Sequence, residues 1–97
     1  MVEYLYNAIR ATAGQDITIA AEITNDDGIP LVDGCHIMLF NPEKELIGTF
    51  DGTFDEEEME WTFVIPAADT EGLNGRYWYC ICFHSQNLCF KEPIYLV

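Results

Sequence analysis

Apolar residues recur along this chain with a period of two rather than 3.6, so the elements it predicts are strands. Segment 16–24 sets Ile17, Ile19, Ala21 and Ile23 against Asp16, Thr18, Ala20 and Glu22, the pattern of a half-buried strand. Asn25-Asp26-Asp27-Gly28 follows as a turn, with the glycine supplying a positive φ. The stretch 29–32 is extended and carries Pro30, which suits an edge or a loop. After the Asp33-Gly34 turn, segment 35–41 (CHIMLFN) is apolar on both faces, as in the middle of a sheet. Segment 45–50 (ELIGTF) returns as its hairpin partner. Segment 59–65 alternates Met59, Trp61, Phe63 and Ile65 against Glu60, Thr62 and Val64 until Pro66 ends it. Residues 67–74 hold no strand, only a single helical turn at 69–72. The strongest strand is 76–84 (RYWYCICFH), and 88–96 returns beside it. The N-terminal segment 3–9 predicts one more strand.

Seven or eight short strands with frequent turn signals, and no amphipathic helix, predict an all-β, immunoglobulin-like antiparallel β-sandwich. No repeat, linker or low-complexity tract divides the chain, so residues 1–97 are expected to form one domain.

The last hairpin has two unlike faces. A turn centred on Ser85-Gln86 places Phe83 opposite Leu88, Ile81 opposite Phe90 and Tyr77 opposite Ile94, all on the core side. The other face carries Trp78, Cys80, Cys82, His84, Cys89 and Pro93. It is too apolar for a face left in water, so a cover is expected, either from the same chain or from another subunit.

Charge changes the picture of what the sandwich can bind. Seventeen Asp and Glu face Arg10, Lys44, Arg76 and Lys91, for a net charge of −13. Four scattered cations cannot form the basic stripe that nucleic acid requires, and an anionic membrane is disfavoured for the same reason. No apolar run reaches the length of a signal peptide or a membrane span, so a cytosolic compartment with reduced, packed cysteines is expected.

Catalytic chemistry finds little support. His36 and His84 lie on strands, no nucleophile motif surrounds a cysteine, and the glycines stand singly at turns rather than in a phosphate loop. Cys80, Cys82, His84 and Cys89 are metal-ligand types on one face. Cys-x-x-Cys in the usual zinc knuckle bends two ligands around one metal, whereas a Cys-x-Cys pair in an extended strand is separated by two rises, roughly 6.6–7 Å, which is the wrong spacing for that knuckle. A Cys82–Cys89 cross-strand disulfide remains open beside packed thiols. Asn25-Asp26-Asp27 and Asp51 to Asp55 are oxygen-rich loops without EF-hand spacing, and Asp55–Glu58 reads as a solvated acidic run. No cofactor, metal or catalytic residue is therefore expected.

Gly72 to Tyr79 is similar to the start of strand F in immunoglobulin-like domains, where Tyr77 or Tyr79 would make a tyrosine corner. The order Asp26, Asp27, Gly28, Pro30, then Gly34 with strand 35–40, then Ile65-Pro66, Thr70, Leu73, Gly75, Tyr77 and Tyr79 resembles the small β-sandwich domains of tailed-phage virion proteins. The resemblance covers roughly residues 16–97 and reaches the N-terminal domain of baseplate upper proteins. Those proteins continue toward a receptor-binding part, whereas this sequence ends at Val97. The resemblance thus implies a head decoration, neck or tail accessory subunit, assembled in the host cytoplasm and present in many symmetric copies. Its partners would be capsid, neck or tail subunits, with no nucleic acid and no membrane. The candidate docking residues are Tyr4, Leu5 and Tyr6 with Trp78, Cys80 and Cys82, since desolvated aromatics anchor interfaces. The alternative is a carbohydrate- or host-surface-binding sandwich that stacks sugars on Trp61 and Trp78 beside calcium-holding acidic loops. A secreted inhibitor or adhesin domain would need an export route.

Overall fold

The computed structural model describes residues 2–5, 8–84, 86–87 and 91–97, with 86 and 87 as backbone only. The strands are β1 (Val2–Leu5), β2 (Ala8–Ala11), β3 (Ile17–Ala21), β4 (Cys35–Phe40), β5 (Leu46–Asp51), β6 (Thr53–Asp55), β7 (Glu60–Ile65), β8 (Gly75–Phe83), β9 (Gln86–Asn87) and β10 (Glu92–Leu96). A single helical turn, α1 (Ala67–Thr70), lies between β7 and β8. The larger sheet runs β1-β2-β10-β8-β4-β5, with β9 on β8, and the smaller runs β3-β7-β6. The all-β sandwich expected from the alternation is the fold.

Alternation explains which residues fill the space between the sheets. Ile17 and Ile19 of β3, and Trp61, Phe63 and Ile65 of β7, project inward from the smaller sheet. Ile9, Ala11, Cys35, Ile37, Leu39, Ile94 and Leu96 meet them from the larger one. Each large aliphatic or aromatic side chain so buried contributes about 1.5–3 kcal/mol. Tyr77, Ile81 and Phe83 pack on this core from β8, and Tyr77 sits opposite Ile94, as the hairpin reading required.

Several local expectations are corrected. Segment 3–9 is not one strand: β1 and β2 form an antiparallel hairpin in which Leu5 pairs with Ala8. β2 then runs parallel to β10, with Ile9 beside Ile94, so the sandwich is not wholly antiparallel. Sequence alternation is blind to strand direction, which is why this was not visible. The acidic connection after β5 contains β6, which pairs with β7. Met59 is not the first inward residue of its strand but an exposed turn residue with φ 54°. The helical turn begins at Ala67, two residues earlier than read, because Pro66 has the fixed φ of a helix start and its carbonyl accepts Asp69 N–H at 3.0 Å.

The tip of the last hairpin also differs. Phe83 pairs with Gln86 and Cys82 with Asn87, so Cys82 does not face Cys89. His84 is the first turn residue and takes φ 53°, a left-handed conformation that histidine tolerates better than most side chains. Its amide donates to Gly34 O at 2.8 Å, tying the tip to the turn before β4. The expected partners Leu88 and Phe90, the turn residue Ser85, and Cys89 itself lie outside the described residues.

One glycine makes the sheet change possible. Gly52 separates β5, in the larger sheet, from β6, in the smaller. Its amide donates to Cys35 O at 3.0 Å. A Cβ at this position would lie 2.5 Å from Phe63 Cε1, so no larger residue fits without displacing the core.

Candidate functional site: the outer face of the larger sheet

On β4 and β8 the odd-numbered positions face the core, and the even ones form a second, smaller apolar cluster on the outside of the larger sheet. Phe40, Cys80 and Cys82 are its buried members, with Met38 and Trp78 packed against them. Register fixes the neighbours: Phe40 pairs with Trp78, Met38 with Cys80, and His36 with Cys82.

The β4–β5 loop is shaped to sit on this cluster. Asn41 Oδ1 accepts the amides of Glu43 (3.0 Å) and Glu45 (2.8 Å), and its Nδ2 donates to Glu45 Oε1 at 3.2 Å. The tight turn puts Lys44 at φ 66° with its Nζ 4.3 Å from the Trp78 ring centre. Trp78 Nε1–H donates to Pro42 O at 3.4 Å, and Arg76 lies 5.0 Å from the same ring. Lys91 Nζ sits 4.5 Å from the Phe40 ring. Cations over aromatic faces gain roughly 0.5–1 kcal/mol each at exposed sites. Trp78 is thus half-buried within its own chain.

The fourth cation belongs to the same face. Arg10 of β2 is exposed and pairs with Tyr95 of β10, which in turn pairs with Arg76 of β8. All four basic residues of a chain with net charge −13 are therefore gathered on the outside of one sheet. They are scattered along the chain, and cross-strand register together with the β4–β5 loop brings them to one face.

Cys80 and Cys82 are 1% and 2% exposed, so they lie beneath this face and not on it. Their Sγ atoms are 3.7 Å apart, and Cys82 Sγ–H donates to Met38 Sδ at 3.3 Å. The separation of 6.6–7 Å expected for a Cys-x-Cys pair describes the backbone rise; the two side chains lean toward each other and close that gap. His84 is not with them: it is exposed on the turn, its ring 4.4 Å from that of Phe83. Cys35 is on the opposite, core face as a free thiol. Burial, with a smaller contribution from the charge of Asp33, pushes its pKa above the ordinary value.

The other candidates are dispersed. Tyr4 and Leu5 are exposed on the edge strand β1, away from Trp78, while Tyr6 lies outside the described residues. Trp61, read as a sugar platform, is a core residue only 3% exposed. Its Nε1–H donates to Leu31 O at 2.6 Å and its ring stacks on Phe63. In the acidic loops, Asn25 Oδ1 accepts the amides of Asp27 and Ile29, and Asp55 Oδ1 those of Glu57 and Glu58, so these oxygens serve their own turns. Among the described residues no three His, Cys, Asp or Glu side chains converge as a metal-binding group, and no helix is long and apolar enough to cross a membrane.

No family model matches the chain, and no curated protein matches it. Among solved structures it is similar to the crystal structure of the Lin-41 filamin domain, with a TM-score of 0.63 at 12% identity. That match covers 91% of this chain and 82% of the other. At such identity the likeness is one of fold: both are immunoglobulin-like sandwiches.

Proposed function

We propose that the chain is a non-enzymatic docking module, a small sandwich that attaches to a larger protein assembly through the outer face of its larger sheet. The observation that carries this reading is the contiguous row Arg10–Tyr95–Arg76 with Trp78 beside it. Arg, Tyr and Trp are the residue types that dominate binding energy at protein interfaces. Here they adjoin one another on an open sheet face while most of the acids lie elsewhere. Such a face orients the molecule: the cationic, aromatic side meets the partner and the acidic loops remain in water. The assembly we propose is the particle of a tailed phage, with capsid, neck or tail subunits as partners and many symmetric copies per particle. That setting rests on the sequence resemblance.

The test is association with native particles. The chain should co-purify with them at a fixed stoichiometry. Trp78→Ala, and separately Arg10→Glu with Arg76→Glu, should leave a folded protein that no longer attaches. Val64→Ser, on the exposed outer side of the smaller sheet, should attach normally. Particles that lack the chain, or folded Trp78 and Arg variants that still attach, would overturn the reading.

A further inference from the structure

Three sulfur atoms meet on the outer side of the larger sheet. Cys80 Sγ lies 3.7 Å from Cys82 Sγ, which lies 3.3 Å from Met38 Sδ. The two cysteines alternate along β8, and Met38 reaches across from its register partner on β4. Two thiols and a thioether are soft donors, the set that selects monovalent copper over the harder divalent ions.

We infer that Cys80, Cys82 and Met38 form a binding site for one Cu(I) ion. A metal–sulfur bond is about 2.3 Å, so three sulfurs around one ion in a trigonal plane stand about 4 Å apart. The two observed edges need to open by about 0.3 Å and about 0.7 Å, which rotation about the cysteine torsions and those of an unbranched methionine supplies. A zinc ion would ask for a fourth hard or sulfur donor in a tetrahedron. Among the described residues no further His, Cys, Asp or Glu completes one.

Charge supports an anionic centre here. Binding converts two thiols and Cu(I) into a bis-thiolate complex of net charge −1 and releases two protons to solvent, with no change of oxidation state. Burying that charge would be costly beside apolar neighbours alone. Yet three of the chain's four cations surround the cluster: Lys44 and Arg76 over Trp78, and Lys91 over Phe40. In a chain with net charge −13, gathering them around an apolar sulfur cluster gives that centre a counter-charge. The same aromatics, Phe40 and Trp78, shield the sulfurs from water and oxidant.

The experiment uses the whole reduced chain under anaerobic conditions, titrated into the coloured Cu(I)–bicinchoninate complex. One Cu(I) per chain should be withdrawn from the dye, and Zn(II) should not compete. Cys80→Ser and Cys82→Ser should each weaken binding by about 100-fold or more, and Met38→Leu, which keeps the volume, by about 10-fold. Cys35→Ala, which changes a thiol on the core face, should bind as the parent does. Circular dichroism of each variant checks its fold. If a serine variant unfolds, Met38→Leu and the parent's rise in melting temperature on loading with Cu(I) decide the matter. A parent that takes up no Cu(I), folded Cys80 and Cys82 variants that bind as well as the parent, or binding lost only in Cys89→Ser would overturn the site. Particle attachment plays no part in these measurements, so they stand apart from the docking reading.

Discussion

The Tyr4 hydroxyl accepts the backbone N–H of Ala20 at 3.0 Å, joining β1, at the edge of the larger sheet, to β3, at the edge of the smaller. Edge strands present unpaired amides that invite another chain, and here a side chain from the opposite sheet occupies one of them. Tyr4→Phe keeps the ring and removes only this acceptor. Because the bond is exposed, water replaces it in part and the loss should be about 0.5–1 kcal/mol. For a domain of this size that lowers the melting temperature by about 2–8 °C. Light scattering near the transition should rise as well, since β3 regains a free edge amide. An unchanged melting curve would show that the contact adds nothing.

A second link ties α1 to the β2–β3 turn. Thr70 is fully buried, and its Oγ1 accepts Gly14 N–H at 3.0 Å while donating to Ala67 O at 3.5 Å. Thr70→Val keeps the shape and strands the Gly14 amide, which should cost about 1–3 kcal/mol. Thr70→Ser keeps the hydroxyl and should recover most of that. Urea midpoints of the three proteins give the comparison. A valine variant as stable as the parent would show that water reaches Gly14 instead.

Much of this architecture is legible in the alternation of Ile17, Ile19, Phe63 and Ile65, because a strand with one buried face must place apolar residues at every second position. What stayed hidden depends on contacts between distant segments. The parallel pairing of Ile9 with Ile94 leaves no mark on either strand. At the candidate site, the face shared by Trp78, Cys80 and Cys82 follows from β8 alone. Arg76, two residues before Trp78, shares that face by the same alternation, whereas Met38, Arg10, Lys44 and Lys91 join it only through the register of β4, β2 and β10, the shape of the Asn41 loop and the contact of Lys91 with Phe40.

Cys35 predicts how stability depends on alkaline pH. Its pKa is raised in the fold, first by desolvation and then by Asp33, so the unfolded chain ionises before the folded one. The stability this confers is complete below the ordinary value of 9.0 and is lost as pH rises past it through the raised folded value. Urea midpoints measured from about pH 8 to about pH 10.5 should fall in the parent and fall less steeply in Cys35→Ala. Parallel slopes would remove Cys35 as a contributor. Near pH 8, where this contribution is intact, the alanine variant should be less stable than the parent, because it leaves a small cavity in the core cluster that holds Ile37.

The sheet change at Gly52 makes the sharpest prediction about the core. A methyl group there would lie 2.5 Å from Phe63 Cε1 and 2.8 Å from Trp61 Cε3. Both rings are held from their other sides, Trp61 by its bond to Leu31 O and Phe63 by the buried aliphatics, so neither can retreat freely. Gly52→Ala should therefore cost about 1–3 kcal/mol through overpacking, with the chain still folded. Phe63→Leu alone should cost a similar amount by leaving a cavity. Combined, the two changes offset one another, since the smaller side chain makes room for the added methyl. The double variant should be more stable than the sum of the single losses by about 0.5–3 kcal/mol, the range for residues in direct contact. Strict additivity in denaturant melts of the four proteins would mean that the backbone at 51–53 shifts to admit the methyl group, and that Gly52 is not what brings β5 and β6 against Phe63.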